Sequence, residues 1–171
     1  LEEVKLSHKN LIMMSRYVDI SFNPRLELFE VPDTSLNIMF ADFNHAQLEH
    51  LSETLFTPLE SNLGSLLLNL DLSGNKFSDF SAKFFSKAVN LAKLNLSQNR
   101  LSKFTDPTLF HNLKKLVKLD LSQNQLEVLP GAIFAKQAFL VHLNLSANKI
   151  RQVQPGLFSN LSSLIELDLS E

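Results

Sequence analysis

The chain has 171 residues, 44% of them hydrophobic, which is enough for one domain with a core and too apolar for a disordered segment. Its formal net charge is -2 with both signs interspersed. The polybasic footprint of a nucleic-acid binder is therefore missing, and no apolar run approaches the roughly 20 residues of a membrane-spanning helix.

Between Leu1 and Ser65 the apolar pattern is short and irregular. Val4 and Leu6 with Leu11 read as a strand, only 14 residues ahead of a second at Val18 and Ile20, which is followed by Asn23 and Pro24. That spacing is too short for a full repeat and suggests a hairpin-like start, or missing residues. Ile38, Ala41, Phe43, Leu48, Phe56 and Leu59 form the next unit, 29 residues long, with Ala46 in a position that later carries Asn and an insertion around Glu60–Ser65.

From Leu67 a strict pattern, L-x-x-L-x-L-x-x-N-x-L, takes over. It runs through Leu67, Leu70, Leu72, Asn75 and Phe77; Leu91, Leu94, Leu96, Asn99 and Leu101; Leu116, Leu119, Leu121, Asn124 and Leu126; and Leu140, Leu143, Leu145, Asn148 and Ile150. A fifth copy begins with Leu164, Leu167 and Leu169. Starts at 67, 91, 116, 140 and 164 are 24 or 25 residues apart. Each copy is followed by an aromatic at fixed distance (Phe85, Phe110, Phe134, Phe158), partnered by Leu113 and Leu161 but by Ala88 and Gln137 in the other two. The repeated unit thus explains a chain with 14 Phe, one Tyr and no Trp.

Leucines two apart give short strands with one buried face, and a unit this small buries its apolar edge only by stacking on its neighbours. The predicted fold class is α/β: a leucine-rich-repeat solenoid, or horseshoe, with a parallel sheet on its concave face and irregular or short helical return segments. The chain is expected to be a single domain over 1–171, irregular over 1–66 and regular over 67–171. Asn75, Asn99, Asn124 and Asn148 are expected to be structural, their amides serving backbone groups where the chain leaves the strand.

The outward strand positions form ladders. One reads Asp19, Asp42, Asp71, Asn95, Asp120, Asn144, Asp168; it is either a device that keeps like charges apart or an acidic stripe for a basic partner. Another reads Tyr17, Phe40, Asn69, Lys93, Lys118, His142, Glu166. Tyr17 and Phe40, with Phe22 and His45 nearby, form an interface if they point outward, or lie buried if the early register differs. The candidate partner-binding residues are Tyr17, Phe22, Phe40, His45, Asp71, Lys93, Lys118, Asp120 and His142. A rim stripe of Lys76, Arg100, Gln125 and Lys149 reads as a solvated edge or, less simply, an anion site.

Asn-x-Ser sequons at Asn95, Asn144 and Asn160 are candidate glycosylation sites. Asn160 falls on a return segment. Glycans at Asn95 and Asn144 would stand on the strand face and obstruct it.

No catalytic constellation appears. Cysteine is absent, which excludes disulfides, a thiol nucleophile and zinc–thiolate sites within the chain. The five histidines lack metal spacing, the four glycines form no phosphate cradle, and Ser73, Ser97, Ser122, Ser146 and Ser170 are a repeat-position ladder. No enzyme activity, cofactor or metal is expected.

The segments Leu129-Pro130-Gly131-Ala132-Ile133-Phe134 and Pro155-Gly156-Leu157-Phe158-Ser159-Asn160-Leu161 resemble the return segment of extracellular "typical"-class leucine-rich repeats, as found in Toll-like receptor ectodomains and secreted insect leucine-rich immune proteins. The resemblance is close over 67–171 and weak over 1–66. It implies a horseshoe, an extracellular setting, and recognition of a protein or pathogen-derived macromolecule in innate immunity, with dimerisation left open. Family members usually carry cysteine-rich caps, so a fragment lacking caps is expected, with any secretion signal upstream or removed. An assembly-organising adhesive module and an intracellular scaffold are the alternative readings.

Overall fold

The structure is a computed structural model and describes residues 3–5, 17–23, 28–30, 39–51, 66–81 and 83–171. Leu6, Leu11, Pro24, Ile38, Phe56, Leu59 and the insertion around Glu60–Ser65 lie outside the described residues.

Nine three-residue strands occur in chain order among the described residues: β1 (Glu3–Lys5), β2 (Tyr17–Asp19), β3 (Leu28–Glu30), β4 (Phe40–Asp42), β5 (Asn69–Asp71), β6 (Lys93–Asn95), β7 (Lys118–Asp120), β8 (His142–Asn144) and β9 (Glu166–Asp168). Seven form one parallel sheet in the order β2-β4-β5-β6-β7-β8-β9. Its register puts equivalent repeat positions side by side, as in Leu70, Leu94, Leu119, Leu143 and Leu167. This is the solenoid that the repeat predicts. Between strands the described return segments are turns rather than helices.

The start of the chain departs from expectation. β1 does not open a hairpin: it pairs in parallel with β3, in a two-stranded sheet separate from the main one. Parallel partners need a crossover between them, so β1 skips β2 and takes the strand after it. β3, a strand without the leucine template, was not expected at all.

The core lies between the sheet and the return segments. Leu70, Leu72, Leu94, Leu96, Leu119, Leu121, Leu143 and Leu145 are buried from the sheet side. Phe85, Phe110, Phe134 and Phe158 run along the other side as an aromatic file, with ring centroids 6.0, 6.4 and 6.1 Å apart in succession. Gln137 is buried where a leucine partners the aromatic in other repeats; its Nε2 donates to the Phe110 carbonyl at 2.6 Å, which satisfies the polar group.

The asparagines carry the turn out of each strand. Asn99 Nδ2 donates to the carbonyls of Leu72, Leu96 and Ser97, and its Oδ1 accepts the Phe77 N–H at 3.1 Å. Asn75, Asn124 and Asn148 repeat the arrangement, accepting from Leu48, Leu101 and Leu126. Asn23 Nδ2 likewise bonds the Ile20 and Ser21 carbonyls. Asn75, Asn99, Asn124 and Asn148 each tie their own turn to the preceding repeat, and Asn23 braces its own turn.

Candidate functional site

The open face of the sheet is built from the strand positions that the leucines leave outside. Tyr17, Phe40, Asn69, Lys93, Lys118, His142 and Glu166 stand in register across β2 and β4–β9. Tyr17 is 50% exposed and Phe40 is half-buried, so both rings are turned out of the core. Burial through a wrong register is thus excluded for Tyr17. A depression of about 310 Å³ crosses this face. Tyr17, Phe40, Asp71, Lys93, Lys118 and Asp120 all line it. His142 is outside that lining; its Nδ1 lies 2.8 Å from Glu166 Oε2 on the next strand.

Phe22 and His45 sit at the rim. Their rings stack with centroids 5.1 Å apart and planes 6° from parallel, and Phe22 is 70% exposed. Both residues adopt left-handed backbone, φ 54° and 50°. The same repeat position is left-handed at Gly74, Gln98, Gln123 and Ala147. The reason is the ladder beyond the strand: here the N–H turns to bond the next repeat, as in Phe22 to the Asn44 carbonyl and His45 to the Ser73 carbonyl. For an L-residue this conformation costs about 1–2 kcal/mol. Gly74 meets a second demand, because a Cβ there would lie 2.7 Å from the His45 ring. No sequence signal short of aligning the whole repeat exposes this position.

The aspartate ladder is more ordered than charge spacing requires. Each described member accepts from the backbone two residues on, as Asp19 does from Ser21, Asp71 from Ser73, Asp120 from Ser122 and Asp168 from Ser170. Where Asn alternates with Asp, the amide reaches across: Asn95 Nδ2 donates to Asp71 Oδ2 at 3.0 Å and Asn144 Nδ2 to Asp120 Oδ2 at 3.4 Å. At the other end the alternation fails, and Asp19, Asp42 and Asp71 stand on adjacent strands about 4.8 Å apart. Partial withdrawal from water, then the carboxylates of Asp71 and Asp19, push the Asp42 carboxyl up, against the bonds it accepts from Asn44. Withdrawal from water and the same three carboxylates push the Tyr17 phenol up as well. Asp19 and Asp168 go the other way, held down by the Ser21 and Ser170 hydrogen bonds.

The three sequons differ in setting. Asn95 and Asn144 are half-buried strand residues whose amides serve the ladder, while Asn160 is exposed on the return segment. In the rim stripe Lys76 pairs with Glu49 at 3.5 Å, and Arg100, Gln125 and Lys149 are exposed. Among the described residues no group of three or more His, Asp or Glu is placed to hold a metal ion, and no helix is long and apolar enough to cross a membrane.

Several known proteins share this architecture. The leucine rich repeat family matches residues 65–126 and 103–150. Lumican of Oryctolagus cuniculus is 29% identical over 120 residues, 68% of this chain and 62% of lumican. The structure of the Toll–Spatzle complex, a hub in Drosophila development and innate immunity, superposes with a TM-score of 0.70 at 24% identity, over 99% of this chain and 25% of that one. The TLR13–ssRNA13 complex gives 0.64 at 26% identity, over 86% and 25%, and the APL1 leucine-rich repeat domain 0.69 at 22%, over 85% and 39%. The chain therefore spans less than two thirds of the length of each of these proteins. From its repeat, its sheet and the family match, the chain belongs to the leucine-rich repeat family.

Proposed function

We propose that this chain is a non-enzymatic extracellular recognition domain of innate immunity, a single domain over 1–171 that binds a protein or pathogen-derived ligand on the open face of its sheet. The observation that carries the reading is the grouping of Tyr17, Phe40, Phe22 and His45 at one end of that face, with the Phe22 and His45 rings stacked and Phe22 70% exposed. Exposed aromatics grouped on one surface serve an interface better than they serve folding. Asp19, Asp42 and Asp71 beside them favour a partner that presents basic side chains, and Lys93 and Lys118 bring the opposite charge on the next two strands. The Toll-like likenesses and lumican agree with a binding module.

The test replaces Tyr17 and Phe22, both largely outside the core, with Asp in the immobilised chain. Proteins retained from extracellular fluid of the source organism are then quantified against the unaltered chain. The reading predicts at least a tenfold loss of specific recovery with the fold intact by circular dichroism. Equal recovery would remove this site.

A further inference from the structure

We infer that Asn160 is the acceptor of an N-linked glycan and that the sequons at Asn95 and Asn144 stay bare in the folded protein. Asn160 is exposed, on the turn that follows Phe158 and precedes Leu161. Phe158 and Leu161 are turned into the core, so the solvent-facing residues between them lie on the side of the solenoid away from the sheet. The equivalent positions two residues after each core aromatic are Lys87, Asn112 and Lys136, all exposed. This position meets water in every regular repeat, and a bulky polar substituent there displaces nothing.

The strand sequons are the reverse case. Asn95 Oδ1 accepts both the N–H and the hydroxyl of Ser97, the sequon's own serine, at 3.1 and 2.8 Å, while Nδ2 faces Asp71. Asn144 Oδ1 accepts from Ser146 at 3.0 and 2.7 Å, with Nδ2 facing Asp120. A sugar on either Nδ2 has to enter the space between neighbouring strands, about 4.8 Å apart, and remove one amide proton from the ladder.

The transfer takes its sugar from a polyprenyl-pyrophosphate-linked oligosaccharide. The bond from Asn160 Nδ2 to the sugar's anomeric carbon forms and the anomeric carbon–oxygen bond to pyrophosphate breaks. The pyrophosphate leaves with the electron pair, and the amide proton passes to a base. A glycan placed so keeps the open face clear for the partner proposed above. The inference rests on the extracellular setting of that proposal, but a supplied leader tests it separately from the partner.

The chain is secreted from animal cells behind a heterologous leader. Its intact mass is measured before and after enzymatic removal of N-glycans, and glycopeptides are mapped. Loss of mass assigned to Asn160 alone, abolished in Asn160→Gln, supports the inference. Lys114→Ser, which completes an acceptor sequence at the equivalent exposed Asn112, is expected to add one further glycan. Folded material bare at Asn160, or carrying sugar at Asn95 or Asn144, overturns it. Failure of Lys114→Ser to gain a glycan overturns the geometric argument. None of these outcomes touches the partner-binding test, which reads Tyr17 and Phe22.

Discussion

The amide of Asn95 donates to the carboxylate of Asp71 on the neighbouring strand, 3.0 Å from Nδ2 to Oδ2. Asn144 does the same to Asp120. Alternation of Asp and Asn along the sheet thus makes two donor–acceptor pairs, and the alternation fails where Asp42 stands between Asp19 and Asp71.

Asp42→Asn is therefore expected to stabilise the fold at neutral pH. The new amide gains Asp19 as an acceptor and loses two repulsions, while Oδ1 keeps its bonds from Asn44. One added hydrogen bond contributes about 1 kcal/mol. The folded state holds the Asp42 proton more tightly than an ordinary carboxyl does. Its stabilising contribution is present below the usual carboxylate range and lost as pH rises through the raised value. The advantage of the variant should accordingly grow from acid to neutral pH. Urea titrations at pH 3.5 and 7 check this; an advantage larger at pH 3.5 contradicts it.

Asp19 and Asp168 set the opposite slope. Their carboxyls are held below the usual range by Ser21 and Ser170, so their contribution is present above that range and is lost as pH falls through their lowered values. Ser170→Ala removes the hydroxyl bond and leaves the backbone N–H bond, so the Asp168 titration should move upward only part of the way to the ordinary carboxylate value, as read by carboxyl carbon chemical shifts. An unmoved midpoint would show that the Ser170 hydroxyl has no part in holding it.

Asn99→Ala should be among the costliest single polar truncations. It strands the buried Phe77 N–H and removes the donor to three carbonyls. An unsatisfied buried donor costs about 1–3 kcal/mol, and the lost bonds add to it. The midpoint of chemical unfolding should fall by an amount corresponding to about 3 kcal/mol. A loss within 0.5 kcal/mol, the order of an ordinary surface change, would deny the asparagines their structural part.

Phe134 sits between Phe110 and Phe158 in the aromatic file and is fully buried. Phe134→Ala is expected to cost about 3–5 kcal/mol through lost burial and the cavity left behind. Phe139, exposed, should tolerate the same truncation. Thermal unfolding of both variants separates a continuous file from a coincidence of rings.

Gly74→Ala combines two faults, a left-handed φ of 64° and a Cβ 2.7 Å from the His45 ring. The variant should lose about 1–3 kcal/mol. His45→Ala in the same chain should recover the steric part only. A double variant no more stable than Gly74→Ala alone would place the fault wholly in the backbone.

The regular half of the fold was legible because one template sets burial, register and turn together: Leu70, Leu72 and Asn75 each have one place in it. Tyr17 as an outward residue followed from the same register. β3 was not legible, since Leu28–Glu30 carries no template and its partner is chosen by a crossover rather than by local pattern. The left-handed step at Phe22 and His45 was hidden for another reason. It is enforced by hydrogen bonds to the next repeat, which accept Phe, His, Gln, Ala or Gly alike, so residue type gives no cue. The amide–carboxylate bonds were visible only as an alternation of letters until the strands were set side by side.

On the proposed reading the open face meets the partner at its aromatic end. A photo-crosslinking phenylalanine placed at Tyr17, and separately at Asn112 on the return side, tests it most directly in extracellular fluid of the source organism. The account predicts a discrete crosslinked adduct from position 17 and none from position 112. Adducts from 112 alone, or equal labelling at both, would contradict it.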